Sequence, residues 1–167
     1  MMYISTRGGD ERVSSAQAIA QGIAKNGGLF VPETLPKLSL ESILSLAEIP
    51  YAKRAAFIYR SFGIDLPDAK IDELMDATYG DRFDDEAICP ITSLDGNTHV
   101  LELWHGPTSA FKDMALQCLP HFFSASASQL REQGKLENTF LILVATSGDT
   151  GKAALEGFRD KEGIKIA

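Results

Sequence analysis

Thr139-Phe140-Leu141-Ile142-Leu143-Val144-Ala145 is a continuous apolar run, and Thr146-Ser147-Gly148-Asp149-Thr150-Gly151 follows it directly. Such a run suits a parallel strand buried on both faces. Residues 153–158 then read as a helix, and Ile164-Lys165-Ile166 opens a second strand. Strand, loop, helix and strand in that order form a βαβ unit, which places the chain in the α/β class. In open α/β sheets ligands bind at the carboxyl ends of strands, where residues 146–151 fall. A helix start presents free N–H groups to an anion. Two glycines let the backbone approach a ligand, and Thr146, Ser147 and Thr150 add hydroxyls. The segment reads as an anion-holding loop, for phosphate or carboxylate. An ordinary capped turn, with Asp149 as helix N-cap, fits the same positions equally well. A nucleotide P-loop does not fit, because its pattern needs glycine at 146 and a hydroxyl residue at 153. The chain has Thr146 and Ala153.

Upstream lies Glu102-Leu103-Trp104-His105-Gly106-Pro107-Thr108-Ser109-Ala110-Phe111-Lys112-Asp113. Gly106-Pro107 breaks the chain, and the spacing predicts a helix over 109–129 with Pro120 kinking or dividing it. Lys112 falls just inside that helix start, among Ala110, Phe111, Met114 and Ala115. Desolvation and the positive helix end both favour a neutral amine there, and a neutral amine is a nucleophile. On the residues alone, a surface lysine beside Asp113 is the commoner arrangement. Before this segment, residues 90–94 and 98–103 flank Asp95-Gly96-Asn97, a hairpin signal.

The first half reads as helical. Val13, Ala16, Ile19, Ala20 and Ile23 recur at helical spacing after Ser14 and Ser15, with Asn26-Gly27-Gly28 as the stop. Leu29-Phe30-Val31 is a short apolar segment ended by Pro32. A second helix starts from Ser39, with Leu40, Ile43, Leu44 and Ala47 on one face. A third covers about 51–62, and a fourth begins near Pro67-Asp68 with Ile71, Leu74, Met75 and Thr78 inward. Residues 81–86 are polar and read as a linker. The division that follows is a helical N-terminal domain over 1–82 and the beginning of an α/β domain over 83–167.

The chain has 167 residues, 44% of them hydrophobic, and a net charge of −7. This is a normal globular composition. No basic run is present, so no nucleic-acid footprint is expected. No stretch approaches the roughly 18 apolar residues of a membrane helix, so no membrane partner is expected. The first residues lack the pattern of a signal peptide. Cys89 and Cys118 form no disulfide framework, which points to a reducing cytoplasm. His99, His105 and His121 lack metal-ligand spacing, so no metal site is expected. The end at Ala167, inside an opening strand, reads as the edge of a longer chain.

The segment 102–113 resembles the ELFHGPTxAFKD signature of threonine synthases, and residues 145–151 resemble their ATSGDTG loop. Order and spacing also fit. Tyr3-Ile4-Ser5-Thr6-Arg7-Gly8, residues 16–24 and Asn26-Gly27-Gly28-Leu29-Phe30-Val31-Pro32 resemble the leader of the same family. The resemblance implies a fold-type II enzyme dependent on pyridoxal phosphate (PLP). It implies conversion of O-phospho-L-homoserine and water to L-threonine and phosphate. Lys112 matches the lysine that forms the Schiff base with PLP. Thr146, Ser147, Gly148 and Thr150 match the loop that holds the substrate carboxylate, and Asp149 matches the residue facing the PLP 3′-oxygen. Many fold-type II relatives have Asn at that position, whereas Asp is usual in threonine synthases. The alternatives are a cysteine-synthase or threonine-dehydratase relative, and a non-catalytic protein derived from the fold.

Trp104 stands where the family usually has Phe. Ser109 and Lys152 fall at variable positions, and Lys152 is expected in solvent. Family members run to more than twice this length. The glycine- and asparagine-rich loop for the cofactor phosphate and the partner of the pyridine nitrogen are not among these residues. The expectation is that this chain alone binds PLP weakly or not at all and does not catalyse. His105 is expected to shape the turn, Arg7 and Asp113 to be structural, and Cys118 to sit in the core.

Overall fold

The structure, a computed structural model, describes all 167 residues. The chain opens with strands β1 (Tyr3–Ser5) and β2 (Arg12–Val13), then helix α1 (Ser15–Gln21) and strand β3 (Phe30–Pro32). These strands form an antiparallel sheet in the order β2-β1-β3, with Ile4 opposite both Arg12 and Val31. The sheet was not expected from the sequence, because strands of two and three residues are too short to show alternation. Ser14 caps α1 through a capping box: its hydroxyl accepts the Gln17 N–H, and the Gln17 side chain accepts the Ser14 N–H. The helix stops one turn earlier than expected, at Gly22 with φ 73°. Asn26-Gly27-Gly28 is instead the turn that lets Ile23 bridge to Leu29.

Helices α2 (Leu40–Ser45), α3 (Tyr51–Ser61) and α4 (Asp68–Tyr79) follow. Ser39 caps α2 through its hydroxyl. The apolar side of α2 does not enter the core, since Leu40, Ile43 and Leu44 are all exposed. α3 and α4 pack together through Ala52 and Ala56 on one side and Ile71, Leu74 and Met75 on the other. Lys53 and Arg60 on α3 pair with Asp72 on α4 along the outside.

Next come the hairpin β4 (Ile91–Ser93) and β5 (His99–Leu101), paired antiparallel around Gly96, as the sequence predicts. The helix expected over 109–129 is two helices, α5 (Asp113–Leu116) and α6 (Leu119–Glu132). Pro120 lies in the first turn of α6, where a missing N–H costs nothing, so it separates two helices rather than kinking one. The chain ends in β6 (Phe140–Ile142), α7 (Asp149–Phe158) and β7 (Ile164–Ile166). β6 and β7 are parallel, with Leu141 opposite Lys165, which is the expected βαβ unit.

Cys118 and Phe122 complete the core that α3 and α4 begin, together with Tyr79, Phe83 and Ile88. The core therefore runs across residue 82 without interruption. Tyr59 packs on Phe122 with ring centroids 4.5 Å apart. Burying Met75 and Ile71 fully is worth about 2–3 kcal/mol each. β6 is not covered on both faces, contrary to its apolar pattern. Phe140 meets Phe123 on the α6 side, while Leu141 and Leu143 are 61% and 76% exposed. A two-stranded sheet with helices on one side leaves its other face bare within this chain.

Candidate functional site

The Gly106-to-Asp113 turn is held by a buried carboxylate. Asp113, 0% exposed, accepts the Thr108 N–H at 2.8 Å, the Thr108 hydroxyl at 2.9 Å and the Gln117 amide at 2.8 Å. It therefore does not pair with its neighbour Lys112. Gly106 closes the turn, because a Cβ there would lie 2.4 Å from Asp113 Cβ. Ser109 takes φ 56°, an uncommon conformation for a residue with a Cβ.

Lys112 is the N-cap residue of α5, half-buried, with its Nζ 4.1 Å from the centroid of the Phe111 ring. The contact is a cation–π arrangement. α5 is a single turn, so the positive helix end expected beside Lys112 is a weak one. Lys112 and Thr150 line one apolar cleft of about 640 Å³, walled by Leu101, Leu103, Phe111 and Met114. That volume suits a small-molecule ligand.

Asp149 is the first residue of α7 and not its N-cap. The N-cap is Gly148, and no side chain caps this helix. The first helical bond from the turn is Lys152 N–H to the Gly148 carbonyl at 3.0 Å. The N–H groups of Asp149, Thr150 and Gly151 thus have no acceptor within the helix. Asp149 does not fill the capping role expected of it, and the helix start is open. Thr146, Ser147, Gly148, Asp149 and Thr150 are all exposed, and the Thr146 hydroxyl folds back to accept the Gly148 N–H at 3.4 Å. Gly151 serves the packing of the loop: a Cβ there would lie 2.1 Å from Thr146 Cγ2.

The two segments are joined by contacts the sequence does not announce. Lys152 is exposed, as expected, and its Nζ also donates to the Thr108 carbonyl at 2.9 Å. The Gln117 amide reaches the Ala153 carbonyl at 3.4 Å. Gly157 lies against the Leu116 carbonyl, where a Cβ would come within 2.1 Å. The leader braces the same region: the Tyr79 hydroxyl donates to the Met114 carbonyl at 2.6 Å, and Arg82 pairs with Glu156 of α7. Burial pushes the Tyr79 hydroxyl well above the usual phenol range, so it stays a donor.

His105 bridges two carboxylates, Nδ1 to Asp84 at 2.6 Å and Nε2 to Glu102 at 2.8 Å. Hydrogen bonds to Glu102 and Asp84 raise its pKa, while the Thr92 hydroxyl and then His105 lower that of Glu102. His105 thus ties residues 81–86 to the turn, as expected of a shaping residue. Arg7 donates to the Asn26 carbonyl in the leader, and Cys118 is buried. His121 lines a separate polar cleft with Lys161, and burial and that lysine hold its pKa down at about 4. No group of three or more His, Cys, Asp or Glu side chains is placed to hold a metal ion.

Residues 2–79 match the family described as the threonine synthase N terminus. The threonine synthase of Pseudomonas aeruginosa is 41% identical over 167 residues, covering 99% of this chain and 34% of that protein. Human threonine synthase-like 1 is 38% identical over 168 residues, covering 94% of this chain and 22% of that protein. A PLP-bound threonine synthase from Brucella melitensis superposes with a TM-score of 0.89 at 36% identity, over 99% of this chain and 34% of that one. The chain therefore spans about a third of the length of the bacterial relatives it matches.

Proposed function

Because the chain belongs to the threonine synthase family, we propose that it supplies the cofactor lysine and the substrate-carboxylate loop of a threonine synthase. The reaction is conversion of O-phospho-L-homoserine and water to L-threonine and phosphate. The observation that carries this reading is the apolar cleft shared by Lys112 and Thr150 beside the uncapped start of α7. Lys112 and Thr150, the second residue of α7, line it together.

The residues present fit part of a PLP site. An amine opening into an apolar cleft suits covalent attachment of an aldehyde. PLP, when bound, acts as an electron sink for the substrate's carbon atoms. Lys112 would hold the cofactor, and its amine would hold and return protons at the substrate. The N–H groups at 149–151 and the hydroxyls of Thr146, Ser147 and Thr150 receive the substrate carboxylate, with Gly148 leaving the approach open. Asp149 would be the residue beside the cofactor's 3′-oxygen. The apolar walls of the cleft exclude water from the reacting atoms. The groups for the cofactor phosphate and ring nitrogen lie outside these residues, so this chain by itself holds PLP weakly and does not turn over. A reducing cytoplasm is the proposed compartment; no helix is long and apolar enough to cross a membrane.

The test uses a protein carrying this chain together with the remaining two thirds of a threonine synthase. PLP is added, trapped with borohydride and located by peptide mass spectrometry, and phosphate release from O-phosphohomoserine is followed. An adduct on Lys112 and phosphate release are expected. PLP trapped elsewhere overturns the Lys112 assignment, and trapping without phosphate release overturns the substrate.

A further inference from the structure

Thr108 is gripped from two directions. Asp113 accepts its N–H and its hydroxyl from within the turn, and Lys152 donates to its carbonyl from α7, 44 residues away in sequence. The next residue, Ser109, holds φ 56°. A conformation of that kind persists only where the surroundings over-determine it. Asp113 supplies the restraint inside the turn, and Lys152 supplies one from the other element.

Lys152 is one turn into α7, directly behind the open N–H groups of residues 149–151. Lys112 is four residues beyond Thr108 on the same tight turn. A bond from Lys152 to Thr108 therefore sets the spacing between the amine and the helix end. From this geometry we infer that Lys152 is a positioning residue, which fixes the Lys112 turn against the 146–150 loop. The inference rests on the reading of those two segments as parts of one site. In this role the exposed Lys152 acts through the Thr108 carbonyl that its ammonium bonds, and not through substrate or cofactor. A long flexible stem with a charged donor suits such a brace, since it spans the gap between elements and makes a stronger bond than a neutral donor would. Gln117, bonded to Ala153 at a longer 3.4 Å, keeps α7 in contact when Lys152 is replaced.

The test compares Lys152→Met and Lys152→Arg in the whole chain. Amide hydrogen exchange is followed over residues 106–113, with α3 and α4 as internal reference. Competitive acylation of Lys112 against Lys165 gives a second local readout. Lys152→Met is expected to speed exchange over 106–113 by about five-fold, the size of one net hydrogen bond. It is also expected to change the Lys112 to Lys165 labelling ratio by about two-fold or more, on the same basis. Lys152→Arg, which also donates, restores both. Unchanged exchange over 106–113 in Lys152→Met overturns the inference. So does a rise of equal size in α3 and α4, or failure of Lys152→Arg to restore the parent behaviour. None of these readouts requires PLP, so their failure is separable from failure of the Lys112 assignment.

Discussion

Asp113 Oδ2 accepts the backbone N–H of Thr108 at 2.8 Å, and both atoms are buried. A carboxylate with no exposed surface is costly unless both of its oxygens are hydrogen-bonded. Here a peptide N–H, a hydroxyl and an amide donate to them, and the turn that carries Lys112 is the result. Asp113→Ala leaves those donors unpaired in the interior. The expected loss is about 3 kcal/mol of stability, measured by urea unfolding. Asp113→Asn keeps one acceptor and is expected to lose about half as much. A change below about 0.5 kcal/mol in the alanine variant would show that the clamp is not structural.

Gly157 permits the contact between α7 and the end of α5. An alanine there places a Cβ 2.1 Å from the Leu116 carbonyl oxygen, which is backbone and cannot swing away. Gly157→Ala is expected to cost about 2–3 kcal/mol through forced separation of the helices. Gly148→Ala meets no atom within 4 Å, so its cost comes from backbone conformation alone. A thermal melt of the two variants separates the effects, and equal loss in both would contradict the packing argument.

Lys112→Ala removes the amine from the cleft but opens no core cavity, since Lys112 is only half-buried. Stability is expected to change by less than about 0.5 kcal/mol. PLP trapping at this position disappears in the larger protein. A variant that still traps PLP to the parent level at another lysine would exclude Lys112 as the anchor.

The Asp84–His105–Glu102 clasp carries a defined pH dependence. The folded pKa of His105 is raised above its ordinary 6.5, first by Glu102. Its contribution is complete below about 6.5 and is lost as pH rises through the folded value. The folded pKa of Glu102 is lowered below its ordinary 4.5, first by Thr92, so its contribution is present above about 4.5 and is lost as pH falls through the folded value. The clasp is therefore strongest between about 4.5 and 6.5. NMR titration of the His105 ring is expected to give a midpoint above 6.5, and Glu102→Gln is expected to lower it. A midpoint that Glu102→Gln leaves in place would mean that the bond does not hold in solution.

The short period of the helices and the long apolar run near the end were legible because they depend on neighbours in sequence. Ile71, Leu74, Met75 and Thr78 recur on one helix face, and each is buried. Residues 139–151 and 164–166 read as β, loop, α and β because apolar periodicity and glycine placement are local properties. The N-terminal sheet was not legible, since its pairs join residues up to 29 positions apart through strands of two and three residues. The apolar faces of α2 and β6 misled for a related reason: a pattern states that a face can be buried, not what buries it.

Local chemistry in the sequence thus determined the βαβ unit, the helix faces, and the two segments that hold Lys112 and residues 146–150. Tertiary structure alone decided that α7 begins uncapped, that Asp113 turns away from Lys112 toward Thr108, and that Lys152 reaches the Thr108 carbonyl. Periodicity and caps arise from residues three or four apart, which the sequence displays. A hydrogen bond across 44 residues depends on where a helix and a distant turn come to rest, and that is set by the packing of the whole core.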